Sequence, residues 1–310
     1  MTPRVTIVAP TLNGATRGFL AESIESVLAQ TFRDFELILV DDGSTDDTRA
    51  LCDRYAAADS RVQCISQQNR GLGGARNAGI RAGRGEFVAF LDDDDAWLPT
   101  KLERQIAMFD DAVNADVGMA YTALELVDES GRKVGLQFHP LEDDLYARLF
   151  YENVIDAPSS VMLRRPVLET AGLFSEDLWI CEDIDLWLRV ARVARVQATS
   201  EPLVRYRVHS QKMSSHHERL ERDQVLVMER ALAVAPDRIL SRADDIWYRL
   251  YEHIALKQFS LGNAREFRRY YSLAAKHKSP SPAMRVRHLL TATPVMARAA
   301  QGLWRFLAWR

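Results

Sequence analysis

Three cysteines in 310 residues are too few to build a disulfide framework. Cys52, Cys64 and Cys181 are an odd number without ligand-like spacing, so free thiols in a reducing compartment are expected. No apolar run approaches the ~18 residues that a membrane span requires. The opening Met1-Thr2-Pro3-Arg4-Val5 has no long apolar signal core, and Asn13 and Arg17 interrupt the residues after it. Neither charge dominates: 40 Lys and Arg against 43 Asp and Glu give a net charge of −3, with no overall pull toward nucleic acid. These shortages predict a cytoplasmic globular protein that does not bind nucleic acid. What is present is ordinary, with 47% hydrophobic and 27% charged residues. The length suits one α/β domain of ~200 to 250 residues plus an appendage. Charge is uneven only at the end, where Phe267 to Arg310 holds nine Lys and Arg and no acid.

The most informative stretch is Phe87-Val88-Ala89-Phe90-Leu91 running into Asp92-Asp93-Asp94-Asp95. An apolar run without alternation reads as a strand buried on both faces. Unpaired buried charge is too costly for four acids to sit inside such a sheet. They are therefore expected to emerge at the strand's carboxyl end, where open α/β sheets place ligands. Two readings are open: oxygen ligands for a hard divalent cation, or a solvated acidic turn capping a helix near Trp97-Leu98-Pro99.

Upstream, Val5 to Ala9 and Phe35 to Val40 read as strands, and Arg17 to Gln30 has helical spacing at Phe19, Leu20, Ile24, Val27 and Leu28. Ser44 or Thr45 is placed to cap a helix through Leu51 and Tyr55, and Val62 to Ile65 makes a third strand. Alternating strands and helices predict parallel pairing with right-handed crossovers. Asp41-Asp42 closes the second strand, either accepting hydrogen bonds from a nucleoside or shaping an Asp-Gly turn. Gly71-x-Gly73-x-x-Arg76 either seats an anion at a helix N-terminus or serves tight packing.

Further on, a strand at Val117 to Tyr121 and a hairpin about Ser130-Gly131 are expected, with a helix starting at Arg165-Pro166. Cys181-Glu182-Asp183-Ile184-Asp185 opens a buried helix, its acids either favouring the helix dipole or supplying a general base. Leu203 to His209 reads as a strand, with His209 a metal or diphosphate ligand or a hydrogen-bonded core histidine.

In order, Thr6-Ile7-Val8-Ala9-Pro10-Thr11-Leu12-Asn13, Ser26-Val27-Leu28-Ala29-Gln30-Thr31, Leu39 to Asp46, Asn69-Arg70-Gly71 with Ala75-Arg76-Asn77, Phe90 to Asp95, and Glu182 to Trp187 resemble the inverting glycosyltransferases of family 2. The resemblance covers about residues 4 to 213. It implies the GT-A fold, α/β with a Rossmann-like, mostly parallel sheet flanked by helices. That gives a catalytic domain over 1–213 and a helical C-terminal extension over 214–310.

The resemblance also implies roles. Pro10, Thr11, Leu12 and Asp42 would hold the nucleoside of a nucleotide-sugar donor, a UDP-sugar first among them. Arg76, Asp92 and Asp93 would lie along the donor, and Asp92 and Asp94 would be the Asp-x-Asp pair for Mg²⁺ or Mn²⁺, joined by His209. Asp183 would be the catalytic base, supported by Glu182. One sugar would pass, with inversion, to a saccharide or lipid-linked acceptor in cell-surface polysaccharide or glycan synthesis.

Leu12 stands where many members carry an aromatic, so base stacking is expected to be weaker or supplied elsewhere. The membrane helices and Gln-x-x-Arg-Trp segment of processive synthases are absent, and Leu186-Trp187-Leu188-Arg189 resembles non-processive members. A sugar-phosphate nucleotidyltransferase would want a glycine-rich basic loop after the first strand, which Thr11 to Thr16 does not supply. A non-catalytic scaffold would tolerate loss of Asp94 or Asp183, and both are present. Residues 216 to 278 suggest a helical hairpin around Trp247, Leu250, Ile254 and Phe259. From Val295, Met296, Ala299, Leu303, Phe306 and Leu307 fall at helical spacing beside Arg298, Arg305 and Arg310. Such a helix suits the inner face of the cell membrane, or docking on the catalytic domain or a second subunit.

Overall fold

The computed structural model describes residues 2–111, 116–141, 144–209 and 217–291. The chain divides into two compact units, Met1–Val227 and Met228–Arg310.

The first unit begins with β1 (Val5–Thr11), α1 (Gly14–Arg17) and α2 (Leu20–Leu28). Next come β2 (Phe35–Asp41), α3 (Thr48–Ala58), β3 (Val62–Ser66), α4 (Gly71–Ala82) and β4 (Phe87–Phe90). β1 pairs in parallel with β2 and β4, and β2 with β3, because each successive strand is reached through a helix. Every residue of β1, β2 and β4 is buried, which explains their unbroken apolar runs. α4 lies close on this sheet because position 79 is glycine; a Cβ there would overlap a Val8 methyl.

Beyond the acidic run the sheet becomes mixed. β5 (Ala96–Trp97), α5 (Lys101–Asp110), β6 (Val117–Val127), β7 (Lys133–Gln137) and α6 (Leu145–Leu149) come first. A 3₁₀ turn at Pro158–Ser160, β8 (Met162–Arg164), α7 (Arg165–Ala171), α8 (Glu182–Val193) and β9 (Arg195–Arg207) complete it. Among the described residues the strand order is β3-β2-β1-β4-β8-β6-β9-β5, with β7 also on β6. β8 runs antiparallel to both β4 and β6, so it joins the parallel half to the rest. The hairpin about Ser130-Gly131 forms, with Gly131 at φ 79°.

Three expectations need correction. The helix expected from Arg17 is broken at Gly18, whose φ of 80° closes α1 before α2 starts. Neither Ser44 nor Thr45 caps α3; Asp46 accepts from Thr48 N and Oγ1, while Ser44 Oγ accepts from Asn13 N. The four acids do not all emerge, because Asp93 and Asp95 are buried at 7% and 1% exposure with protein partners.

The helix α9 (His217–Ala233) crosses the boundary between the units, and α10 (Asp237–Leu240), α11 (Ala243–Leu261), α12 (Ala264–His277) and α13 (Pro282–Leu290) come after it. Within the second unit α11 and α12 pair as the expected hairpin. Gly262 ends α11 at φ 86°, the Asn263 side chain accepts from Glu266 N, and the Phe259 and Phe267 rings meet at 5.4 Å. Among the described residues no helix is long and apolar enough to cross a membrane. The amphipathic stretch expected from Val295 lies outside the described residues.

Candidate active site

Parallel pairing brings the carboxyl ends of β1, β2 and β4 to one edge of the sheet, and a cavity of about 350 Å³ opens there. Pro10, Thr11 and Leu12 line it from the end of β1, and Asp42 from the end of β2. Arg76 comes from α4, Asp92, Asp93 and Asp94 follow β4, and Glu182 and Asp183 come from the first turn of α8. Pro10 and Asp183, 173 positions apart in sequence, thus share one wall. His209 does not line the cavity; its Nε2 lies 2.9 Å from Asp94 Oδ2, and its side chain is 4% exposed.

The alternation of the acidic run sorts its members. Asp93 Oδ2 accepts from Thr11 Oγ1 and Arg17 Nη2, both at 2.5 Å. Burial pushes its carboxyl up to about 7, against the pull of Arg17 and with the push of Asp94. Asp95 accepts from Ser159 Oγ at 2.6 Å and Arg207 N at 3.1 Å, and burial holds it well above the usual carboxylate range. These two hold the scaffold. Asp92 and Asp94 keep 25% and 23% of their side-chain surface exposed and line the cavity.

Arg76 joins the two acidic constellations. Its side chain is 1% exposed, with Nη1 donating to Glu182 Oε1 at 2.5 Å and Nη2 to Asp92 Oδ1 at 2.6 Å, over the Phe174 ring. Burial alone would lower its pKa, but Asp92 and Glu182 outweigh that and raise it, so the guanidinium stays charged. Burial raises the carboxyls of both Glu182 and Asp183; Arg76 opposes this at Glu182, and the Ile184 N–H, 2.7 Å from Oδ1, opposes it at Asp183. Asp183 remains partly exposed on the cavity wall.

Asp41 and Asp42 divide two tasks. Asp41 shapes the turn, accepting from Ser44 N at 3.0 Å and Ser66 Oγ at 3.1 Å. Asp42 Oδ1 accepts from Gln67 Nε2 at 2.7 Å and Arg70 N at 2.9 Å, which fixes it on the cavity. The glycines at 71 and 73 lie within α4 itself; a Cβ at Gly73 would press on Ser175 O at 2.9 Å, so tight packing accounts for that one.

Among the described residues no three His, Cys, Asp or Glu side chains converge as a ready-made metal cage. Two partly exposed carboxylates are still a fitting donor set for a hard cation completed by substrate phosphate oxygens. Among the further wall residues, the sequence does not single out Arg17, Trp179 or Tyr206, whereas Asp156 ends the segment from about Asp128 that is expected to form much of the acceptor side. For Trp179 a signal exists, a tryptophan four positions before Asp183; for Arg17 and Tyr206 the sequence offers none.

Acids at the carboxyl ends of a parallel sheet, facing a helix that opens with a second acidic pair, define a ligand-binding class of α/β site. The chain belongs to a family of that class: the description Glycosyl transferase family 2 matches residues 6–172. It is 30% identical over 213 residues to an uncharacterized glycosyltransferase of Rickettsia prowazekii, covering 67% of this chain and 65% of that one. It is 28% identical over 216 residues to the Bacillus subtilis glycosyltransferase TuaG, assigned by name to teichuronic acid biosynthesis, covering 69% and 82%. The chain spans less than two thirds of the Rickettsia relatives, 65% of this one and 36% of another from Rickettsia felis.

Among solved structures it resembles Staphylococcus aureus TarS 1–349 in complex with UDP-GlcNAc, with a TM-score of 0.70, 20% identity, and 96% and 88% of the two chains covered. It also resembles the mannosyltransferase PcManGT of Pyrobaculum calidifontis in complex with GDP-Man and Mn²⁺, with a TM-score of 0.59, 19% identity, and 98% and 88% covered. These likenesses show the GT-A fold expected from the sequence.

Proposed function

We propose that the chain is a metal-dependent inverting glycosyltransferase moving one sugar from a nucleotide-sugar donor to an acceptor hydroxyl. The observation that carries this reading is the Arg76 bridge, which holds Asp92 of the Asp-x-Asp run and Glu182, the neighbour of Asp183, on one cavity wall. Pro10, Thr11, Leu12 and Asp42 bind the nucleoside, with Asp42 fixed by Gln67 and Arg70 to accept from a base or ribose. Asp94 and Asp92, beside His209, would hold Mg²⁺ or Mn²⁺, which would supply positive charge for a departing diphosphate.

Asp183 takes the proton from the acceptor hydroxyl as its oxygen attacks the anomeric carbon opposite the leaving group. A raised carboxyl pKa makes it a better base for a neutral hydroxyl. One displacement inverts the anomeric centre. Glu182 and Arg76 orient the site rather than react. A UDP-sugar is the first donor to try, since TarS is complexed with UDP-GlcNAc, and GDP-mannose the second, since PcManGT binds it. The Bacillus relative supports a place in polysaccharide synthesis. The test is the anomeric configuration of the product by NMR from a donor that stabilises the protein: inversion supports the reading, and retention overturns it.

A further inference from the structure

We infer that the acceptor presents an uncharged pyranose to this site, seated between Trp179 and Asp156. This rests on the transferase reading and narrows its acceptor from saccharides and lipid carriers generally to a neutral sugar terminus. Trp179 lines the cavity yet stays 40% exposed, unlike the other tryptophans of the first unit, Trp97 and Trp187, at 3% and 0%. A large aromatic left open on a cavity wall is surface held ready for an apolar face.

Its position is fixed from several sides. Asp223 Oδ2 accepts from Trp179 N at 2.7 Å and Ile180 N at 3.0 Å. The Arg219 guanidinium lies 4.6 Å from the ring centroid, and a Cβ at Gly71 would only just touch the indole, at 3.8 Å. A platform so held loses little entropy when a ligand stacks on it.

Asp156 lines the same cavity. His139 Nε2 lies 3.3 Å from Asp156 Oδ2, and Glu152 Oε1 lies 3.7 Å from His139 Nδ1. A carboxylate held in this way accepts strong hydrogen bonds from hydroxyls. A pyranose has the matching chemistry, a face of C–H groups and a rim of hydroxyls. An alkyl chain would use the indole and leave Asp156 without a hydroxyl.

An anionic unit fits worse. The cavity's cationic side chains among the described residues, Arg17 and Arg76, are committed to Asp93 and to Asp92 and Glu182. A phosphate or uronate between Asp156 and Asp183 would meet like charge there, since the Arg219 guanidinium lies against the Trp179 ring on the other side of the seat.

The test uses the full chain with Mn²⁺ and UDP-N-acetylglucosamine or GDP-mannose, whichever donor is turned over. Acceptors are p-nitrophenyl α- and β-hexopyranosides, p-nitrophenyl glucuronide and ribitol 5-phosphate, and the readouts are acceptor KM and the ratio of transfer to donor hydrolysis. The expected result is at least tenfold higher kcat/KM for a neutral pyranoside than for either anion. Trp179→Ala should raise acceptor KM and lower the transfer-to-hydrolysis ratio at least tenfold, Trp179→Phe should restore most of both, and Asp156→Asn should raise KM severalfold. Preference for an anion, no transfer to any pyranoside while donor is hydrolysed, or a Trp179→Phe protein no better than a folded Trp179→Ala would overturn the inference alone. No donor turnover in the wild type would overturn the transferase reading and this inference with it.

Discussion

In the proposed reading Asp183 sets the chemistry of the site, while Arg76 sets the cost of building it. Burial holds the Asp183 carboxyl above the ordinary carboxylate value of about 4. A base must be ionised, so kcat is expected to fall on the acid side at a pH above that value, and Asp183→Asn should lose roughly 10²–10⁴-fold in turnover while still binding donor. Stability has the opposite sign. Below the ordinary value both folded and unfolded chains hold the proton; above it the unfolded chain ionises first, so rising pH costs stability up to the raised native pKa. Asp183→Asn should therefore gain more in Tm at pH 7 than at pH 4, and an equal gain at both would refute the burial argument. Arg76 carries the reverse risk. Removing a buried guanidinium leaves Glu182 and Asp92 unbalanced, so Arg76→Met should cost about 3–5 kcal/mol by denaturant unfolding. A loss under 1 kcal/mol would mean the bridge does not hold the two constellations.

At the scale of elements, what the sequence discloses is what is local. β1, β2 and β4 are legible because burial on both faces leaves uninterrupted apolar runs, and α8 because Leu186, Trp187 and Val190 fall on one buried side. The ordered motifs likewise place Asp42, Asp92, Asp94 and Asp183 on one cavity. Hidden from sequence are the contacts that decide which acids face that cavity. Asp95 is buried only because Ser159 and Arg207, 64 and 112 positions away, satisfy it. The mixed half of the sheet is hidden too, since β5 has two residues and β8 three, too short for any period to register. Asp46 is a local case that the cap reading misplaced. Its carboxylate takes hydrogen bonds from Thr16 and Thr48, which hold it well below the usual range despite some desolvation. Asp46→Ala should cost about 1 kcal/mol, as cap losses do. The loss should shrink as pH falls below the ordinary carboxylate range, where the wild-type acid is itself protonated. A pH-independent loss would assign the effect to packing.

For the molecule as a whole, the electrostatic balance of the cavity matters most. Asp42, Asp92, Asp93, Asp94, Asp156, Glu182 and Asp183 are seven acids on its wall, against Arg17 and Arg76. Such a surplus repels a nucleoside diphosphate unless a cation accompanies it, so donor and metal should bind as a coupled pair. Anything that binds only the native state raises its stability by mass action, by about 2.7 kcal/mol at a hundredfold excess over Kd. At roughly 2–4 °C per kcal/mol for a domain of this size, Tm should rise by about 5–10 °C with UDP-sugar and Mn²⁺ together. Each alone should give clearly less than half of that, and a chelator should remove the excess. Asp94→Asn is the control that assigns the coupling to a residue. Its carboxamide keeps the shape but loses the charge, so the protein should respond to donor equally with and without metal. If wild type already does so, the surplus is balanced by protein alone and the metal has no part in donor binding.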